Sequence, residues 1–350
     1  MKVGIDTLPL KTVHKYRGIG IYTQNLIKSL SLLKKSDLDL KLIEEKKDLL
    51  KVDLIHYPYF DLFFRTLPLI KKKKTIITIH DVIPLVFPNN FPKGIKGSLR
   101  LYLQKMALKG AKAVITDSQN SKNDIFKYLN YPLDKINVVY LACSSEFKQI
   151  KQDSLLRKIK DQYKLPERFI LYVGDVNYNK NVLGLIKAFG KLKTKKQNKD
   201  LKLVLVGKAF KQKRLKELKE IKNLIESLSL EKYVKILGWL DNKDLVGIYN
   251  LATVYCQPSF YEGFGLPVLE AMSCGTPVVA ANTSSLPEIS SEAAIMVDPY
   301  NVNSIAEGLS SVLDNPLTAK MLSKRGLKQV ENFNWEKVAY ETYRIYKKLV

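Results

Sequence analysis

Short apolar runs alternate with longer amphipathic segments along almost the whole chain. Runs of four to six apolar residues are typical of buried strands, and segments with apolar residues three and four apart are typical of helices. This alternation predicts parallel sheets with helices on both faces. In the first half the predicted strands are Lys2–Asp6, Asp39–Ile43, Asp53–His56, Thr75–His80, Ala113–Asp117 and Ile136–Leu141, and the predicted helices are Ile21–Leu33, Lys96–Lys109 and Ser121–Tyr128.

A second alternating set repeats the same architecture. Its predicted strands are Phe169–Gly174, Lys202–Val206, Val234–Leu237, Thr253–Gln257, Pro277–Ala281 and Ala294–Val297. The charged, weakly patterned stretch 144–166 between the two sets is interpreted as a linker. The sequence therefore predicts an α/β protein with two doubly wound, Rossmann-like domains. Two such domains would face a cleft at the carboxyl ends of their strands, where ligands bind in open parallel sheets.

Composition narrows the class of protein. The 350 residues suffice for two domains, and 46% are apolar, which allows two substantial cores. No apolar run approaches the length of a membrane span. The chain enters its first strand without the apolar region of a signal peptide, and its three cysteines are far apart. These features predict a cytoplasmic protein without disulfides or zinc.

The net charge of +24 is uneven, with +16 in residues 1–165 and +8 in the rest. A basic first half suits an anionic partner such as a phospholipid surface, a lipid-linked phosphate or nucleic acid. Scattered surface lysines without any such partner explain the charge equally well.

Residues 258–277 carry the strongest chemical signal. They read as a strand end, a loop and a short helix, with Pro267 at its start and Gly275 just past its end. Gly263 and Gly265 would let the backbone approach a phosphate at the helix N-terminus. Glu262 and Glu270 flank this anion site. Carboxylates beside a phosphate need hydroxyl donors as partners, which indicates a sugar nucleotide as the ligand.

The same stretch resembles the Glu-x7-Glu signature of family 4 retaining glycosyltransferases, which have the GT-B fold. The resemblance implies that Glu262 accepts from hydroxyls of the donor sugar and Glu270 from those of the ribose. Backbone N–H groups in the loop after Glu262 would hold the diphosphate, and they belong to Gly263, Phe264, Gly265 and Leu266. In this fold a C-terminal helix crosses back to the first domain. The expected domains are therefore 1–160 plus 333–350 on the acceptor side and 161–332 on the donor side.

Two features of the first half also match the family. His80 and Asp81 stand at the carboxyl end of an apolar strand and resemble the histidine-bearing loop that contacts donor sugar or phosphate. With Glu262, they are the candidate catalytic residues. Gly18 and Gly20 lie at the place where, in family 4 enzymes, a glycine-rich loop approaches the donor phosphates. Without the resemblance, the two glycines would suit a plain tight turn and His80 a structural hydrogen bond.

In the second half, Lys180 matches a lysine that neutralises the diphosphate. The family's preceding arginine is Asn179 here, so Lys208 is expected to help neutralise the diphosphate. No Asp-x-Asp motif appears among the expected site residues. The chain is therefore expected to need neither a metal nor another cofactor.

Taken together, the sequence predicts a retaining hexosyltransferase that uses a nucleotide-diphosphate sugar. The loop 282–289 resembles mannosyltransferase-like members, which favours GDP-mannose. The expected acceptor is a glycan or a lipid-linked molecule, and no nucleic-acid partner is expected. A sugar-nucleotide epimerase and an inactive basic binding protein are the alternatives.

A membrane interface is a further hypothesis. The aromatic run Tyr57–Arg65 and the lysines Lys71–Lys74 suit peripheral docking to an anionic surface, although ordinary loop core explains the aromatic residues as well.

Overall fold

The computed structural model describes residues 1–12, 18–212 and 214–350. The chain divides into two compact units, Met1–Ala142 with Phe333–Val350, and Cys143–Asn332. Each unit is built on a parallel six-stranded sheet with flanking helices. The predicted α/β fold class with two separate sheets is confirmed.

The first unit has the strand order β2-β1-β3-β4-β5-β6. Its strands are β1 Lys2–Asp6, β2 Asp39–Ile43, β3 Leu54–Tyr57, β4 Lys74–Thr78, β5 Ala113–Thr116 and β6 Ile136–Val138. Its helices before the crossing to the second unit are α1 Leu8–Lys11, α2 Gly18–Leu32, α3 Ile83–Val86, α4 Gly94–Lys109 and α5 Gln119–Leu129. Residues 13–17, which directly precede Gly18 in the sequence, lie outside the described residues.

The second unit has the strand order β12-β11-β10-β7-β8-β9. Its strands are β7 Phe169–Val173, β8 Lys202–Val206, β9 Val234–Leu237, β10 Val254–Gln257, β11 Val278–Ala281 and β12 Ala294–Val297. Its helices are α6 Asp153–Gln162, α7 Val182–Lys193, α8 Lys216–Ser227, α9 Asn242–Leu251, α10 Leu266–Ser273, α11 Leu286–Ser290, α12 Val302–Leu313 and α13 Pro316–Gln329.

The order of the second sheet determines where its loops can meet. From β7 the chain builds outward through β8 and β9, and it then returns to add β10, β11 and β12 on the other side. The loops after β7 and β10 therefore leave neighbouring strands in opposite directions. Such a switch point leaves a crevice at the carboxyl edge of a parallel sheet, which is where ligands bind in this architecture.

The last helix, α14 (Trp335–Leu349), packs against α2 in the first unit. The Tyr346 hydroxyl lies 2.6 Å from Nδ1 of His56, whose Nε2 lies 2.8 Å from the Thr78 hydroxyl. Burial, with a contribution from the charge of His80, lowers the pKa of His56 to about 3. A neutral imidazole thus joins α14 to β3 and β4. The predicted return of the C-terminal helix to the first unit is confirmed.

The stretch 144–166 differs from the predicted linker. It contains α6, whose Ile159 packs so closely on α9 that a Cβ at Gly247 would lie 2.2 Å from its Cδ1. The backbone N–H of Ile150 also donates to Asn250 at 2.8 Å. The structure therefore places the boundary after Ala142, whereas the sequence analysis places it at 160. The missed signal is the spacing of Leu155, Leu156 and Ile159 in a segment otherwise dominated by charge.

Close packing of the loops after β7 and β8 generates a stability prediction. A Cβ built on Gly207 would lie 2.0 Å from the carbonyl oxygen of Gly174, so Gly207→Ala must displace backbone. We expect a loss of about 3 kcal/mol and a fall in the unfolding midpoint on the order of 5–10 °C. Gly190→Ala is the matched control because its nearest neighbour would lie at an ordinary 3.5 Å. Differential scanning calorimetry distinguishes the two, and equal midpoints would contradict the packing argument.

Candidate active site

Glu262 lies in the loop after β10 at the switch point of the second sheet, where it is only 5% exposed. Its Oε1 accepts from Gln257 Nε2 and Ser259 Oγ, both at 2.7 Å, and from Lys180 Nζ at 2.9 Å. Its Oε2 accepts from Lys180 at 2.7 Å. A carboxylate this buried is costly unless it is paired and hydrogen-bonded. Here both oxygens are satisfied, so Glu262 is held in one orientation.

Lys180 comes from the loop after β7, and two asparagines join this loop to the loop after β10. Asn179 donates to the Tyr261 carbonyl at 2.9 Å. Asn181 donates to the Pro258 carbonyl at 3.0 Å, and its Oδ1 accepts from Gly184 at the start of α7. Asn179, which replaces the family's arginine, is 2% exposed and therefore has a structural role here. These bonds place the Lys180 ammonium against Glu262.

The turn into α10 is also held in place by close packing and hydrogen bonds. Gly265 has a φ of 115°, which favours glycine, and a Cβ there would lie 2.8 Å from Leu286. The Ser285 hydroxyl lies 3.0 Å from the carbonyl oxygen of Glu262 and 2.6 Å from that of Phe264. Gly263 is buried beside them, and α10 begins at Leu266. The predicted phosphate loop therefore ends in a helix N-terminus, where backbone N–H groups attract anions.

Glu270 lies inside α10 in a different environment. Its Oε2 accepts from the Tyr249 hydroxyl on α9 at 2.8 Å. Burial raises the pKa of Glu270 to about 7, and the Tyr249 hydrogen bond opposes this rise only in part. The charge of Glu270 therefore changes near neutral pH, and a ligand that donates hydrogen bonds to the carboxylate would favour the ionised form.

Lys208 begins a short 3-10 turn directly after β8 and is exposed. It therefore lies at the carboxyl edge of the sheet. Among the described contacts, however, no hydrogen bond or ion pair connects Lys208 to Glu262 or Glu270. The structure brings Lys180 to the Glu262 carboxylate and leaves Lys208 at the surface.

In the first unit, β4 and β5 are neighbouring parallel strands. The loops that follow them therefore start side by side, which brings His80 next to Asp117. Nδ1 of His80 donates to Asp117 Oδ2 at 2.6 Å, and both side chains are largely buried. Burial alone would lower the pKa of His80. The charge and hydrogen bond of Asp117, together with the charge of Asp81, outweigh burial and raise it. The pair therefore retains a proton more readily than a free histidine does.

The other candidates of the first unit are Asp81, Gly18 and Gly20. Asp81 accepts from the Ile83 N–H at 3.0 Å and so supports the turn into α3. Gly18 is exposed at the start of α2, and Gly20 is buried in its first turn. Tyr22 packs edge-on against His80 with ring centroids 4.7 Å apart, so the start of α2 lies beside the histidine.

Sequence reasoning missed four polar partners, which are Asp117, Gln257, Ser259 and Tyr249. Asp117 directly follows β5, and His80 lies two residues past the end of the neighbouring strand β4, so the parallel order of β4 and β5 was the available signal. Gln257 and Ser259 lie two residues apart at the end of β10, just before Glu262. Tyr249 is distant in sequence from Glu270, and no pattern connects them. Among the described residues, no group of three or more His, Cys, Asp or Glu side chains is arranged to hold a metal ion.

The Tyr249 contact generates a prediction about Glu270. Tyr249→Phe removes the donor that stabilises the carboxylate, so the pKa of Glu270 should rise above its value of about 7. Carbon-13 NMR titration of labelled glutamate carboxyls measures this directly. Tyr163→Phe is the control because that hydroxyl donates to Asp244 instead. A Glu270 pKa that is unchanged or lower in Tyr249→Phe would show that the hydrogen bond has no influence.

Comparison with known proteins indicates the family of the chain. Residues 7–146 match the family model Glycosyltransferase Family 4, and residues 157–329 match Glycosyl transferases group 1. O-antigen chain mannosyltransferase B of Escherichia coli is 32% identical over 277 residues, which cover 79% of this chain and 71% of that protein. The serotype-specific mannosyltransferase WbdA of Escherichia coli is 31% identical over 270 residues. That match covers 76% of this chain but only 32% of WbdA.

Solved structures agree on the fold. Sucrose-phosphate synthase from Thermosynechococcus elongatus superposes with a TM-score of 0.76 at 21% identity, covering 100% of this chain and 99% of that one. Anabaena HepE in complex with UDP and glucose also has a TM-score of 0.76, at 17% identity, and both chains are covered completely. Since the relatives above are transferases, the epimerase and binding-protein alternatives are not favoured. The chain belongs to family 4 of the glycosyltransferases, and it is an enzyme of the GT-B fold.

Proposed function

We propose that the enzyme transfers mannose from GDP-mannose to a glycan or lipid-linked acceptor, with retention at the sugar carbon. The observation that carries the proposal is the buried Lys180–Glu262 pair beside the N-terminus of α10. It combines a cation, a helix N-terminus and hydroxyl-accepting carboxylates, which is the chemistry that a nucleotide-diphosphate sugar requires. Mannose is favoured because O-antigen chain mannosyltransferase B and WbdA are mannosyltransferases.

Each residue has a role that follows from its contacts. Glu270, with one protein donor, has acceptor capacity left for the two ribose hydroxyls. Glu262 is oriented by Gln257 and Ser259 and accepts from a hydroxyl of the donor sugar. Lys180 transfers part of its interaction from Glu262 to the diphosphate, where negative charge grows as the glycosidic bond breaks.

The remaining candidates complete the proposed site. N–H groups from Gly263 to Leu266 stabilise the leaving diphosphate, and Lys208 adds a cation at the same edge of the sheet. No divalent cation is needed in this scheme. For His80 we propose the role implied by the resemblance, contact with the donor sugar or phosphate, with Gly18 and Gly20 approaching the phosphates. The raised pKa of His80 suits contact with an anion.

Transfer assays with a panel of GDP- and UDP-sugars in EDTA test the proposal. GDP-mannose should give the highest turnover. Glu262→Gln and Glu270→Gln should each cost about 2–4 kcal/mol of transition-state stabilisation, as expected for a lost charge-assisted contact. Turnover near the parent value in both variants would contradict the assignment. A strict requirement for added Mg²⁺ would contradict the metal-free scheme.

The ionisation of Glu270 adds a pH test. With a pKa of about 7, Glu270 is mostly ionised at pH 8 and mostly protonated at pH 6. The Kd for GDP should therefore rise about tenfold from pH 8 to pH 6 beyond any change due to the nucleotide itself. Calorimetric titration of Glu270→Gln isolates this contribution, since the glutamine cannot titrate. Equal pH dependence in both proteins would remove Glu270 from the nucleotide site.

We also propose that the enzyme docks peripherally on an anionic membrane. The residues carrying this differ from those of the sequence-based hypothesis. Phe60 and Leu62 are buried core residues, and in the run Tyr57–Arg65 only Phe64 is a strongly exposed aromatic residue. Lys71 turns inward and donates to the carbonyls of Pro68 and Ala107, and burial lowers its pKa to about 8.

Helix α4 offers a better docking surface. Its exposed apolar side chains follow helical spacing along one face, and they are Ile95, Leu99, Tyr102, Leu103 and Met106. The helix contains four cations and no acidic residue. An apolar stripe flanked by cations suits the boundary of an anionic bilayer. No helix among the described residues is long and apolar enough to cross one.

Vesicle sedimentation tests the docking proposal. Binding should require anionic lipid and weaken with salt, because screening reduces the attraction. Ile95→Ser/Leu99→Ser/Met106→Ser should lose at least tenfold in affinity by removing apolar contact. Leu32→Ser/Leu133→Ser/Leu317→Ser is the matched control, since these leucines are also exposed but lie elsewhere. Equal binding to neutral and anionic vesicles would contradict the proposal.

A further inference from the structure

A cavity of about 530 Å³ lies on one face of the first sheet, within the first unit. Its floor includes Ile55 and Tyr57, which are two residues apart on β3 and so share a face, and Thr75 at the adjacent position on β4. Leu49, Arg65 and residues 68–73 form its walls. A volume of this size accommodates a small organic molecule. None of the residues assigned to donor binding lines it.

The lining combines two kinds of side chain. The apolar part consists of Leu49, Ile55, Tyr57, Pro68, Leu69 and Ile70. Leu69 is 43% exposed and Ile70 83% exposed, so the apolar wall reaches the surface. Burial, with a contribution from the charge of Asp6, raises the pKa of Tyr57 to about 12, so its hydroxyl keeps its proton.

The polar part of the lining is cationic. Arg65, Lys71, Lys72 and Lys73 line the cavity, and none of the described carboxylates does. Lys71 is engaged by backbone carbonyls. In the part of the chain that the structure describes, Arg65, Lys72 and Lys73 form no ion pair with a carboxylate. Three unneutralised cations beside an apolar interior are complementary to an anion attached to an apolar chain.

The cavity also adjoins the surface proposed above for membrane docking. Arg65 and Leu69 line a second, smaller cavity together with Arg100 and Leu103 of α4. Lys71–Lys73 in turn line a third, basic cavity with Lys74 and Lys112. One basic segment therefore runs from the apolar face of α4 to the cavity mouth. A molecule that enters from a bilayer would meet apolar side chains and cations together.

We propose that this cavity binds a lipid phosphate, with the first carbons of an alkyl or isoprenyl chain against β3 and the phosphate on Arg65, Lys72 and Lys73. The inference rests on the proposed function in that it assigns the acceptor to the lipid-linked class. It adds a second ligand site, separate from the residues proposed to bind the nucleotide.

Calorimetric titration of the full chain with dodecyl phosphate below its micellar concentration tests the site. Dodecyl phosphate should bind at least tenfold more tightly than dodecyl maltoside, which has the same chain and no charge, and than inorganic phosphate. Affinity for dodecyl maltoside equal to that for dodecyl phosphate would overturn recognition of the phosphate. Equal affinity for inorganic phosphate would identify a free-anion site instead.

Charge variants locate the contact. Lys72→Ser/Lys73→Ser should weaken dodecyl phosphate binding at least tenfold, because two cations at the phosphate are lost. Lys28→Ser/Lys135→Ser makes the same change in net charge at exposed positions of the same unit outside the cavity, and it should stay within twofold of the parent. Equal losses in both variants would show that binding depends on the overall charge of the protein and not on Lys72 and Lys73 in particular.

Photolabelling separates binding in the cavity from adsorption on α4. An alkyl phosphate with a diazirine at the chain end should label Leu49, Ile55 or Leu69, as mapped by peptide mass spectrometry. Labelling confined to α4 would overturn the proposal. Mannose transfer to a soluble glycan without dodecyl phosphate binding would refute the cavity assignment alone. Binding without transfer from GDP-mannose to any acceptor would refute the proposed function alone.

Discussion

The buried carboxylate of Glu262 is the constraint on which the second unit depends. An ion removed from water costs several kcal/mol unless nearby groups replace its hydration. Gln257, Ser259 and Lys180 replace it, and they come from the end of β10 and the loop after β7. The two loops must therefore be held together, and Asn179 and Asn181 join their backbones. The carboxylate proposed to bind the donor sugar thus also helps to determine the shape of these two loops.

Glu270 belongs to the same short segment as Glu262, but its carboxylate has different hydrogen-bond partners. Glu262 receives a cation and two neutral donors, whereas Glu270 receives one tyrosine hydroxyl in a partly buried position. The difference leaves Glu270 with a pKa of about 7 and with acceptor capacity for a ligand. Two glutamates eight positions apart therefore suit different tasks because their surroundings differ.

The first unit separates its polar chemistry from its apolar surface. His80 and Asp117 pair at the carboxyl edge of the sheet, and His56 joins β3 and β4 to the C-terminal helix. The basic segment 65–73 and α4 instead present cations beside exposed apolar side chains. Much of the aromatic run before this segment is core, because Phe60 and Leu62 pack with the buried residues of β4 and β5. Residues that look alike in the sequence therefore differ in the structure, because some are buried in the core and others are exposed to solvent.

Local sequence patterns determined the twelve strands, the turn at Gly265 and the family, because apolar periodicity and glycine requirements act over a few residues. The helix α6 was missed because charges outnumber its apolar residues and obscure their spacing, and its packing on α9 shows which face is buried. Partners such as Tyr249 for Glu270 and Asp117 for His80 are distant in the chain. Strand order and helix packing alone bring them together. Side-chain charge and hydrogen bonding follow from those long-range contacts, so the tertiary structure decided them.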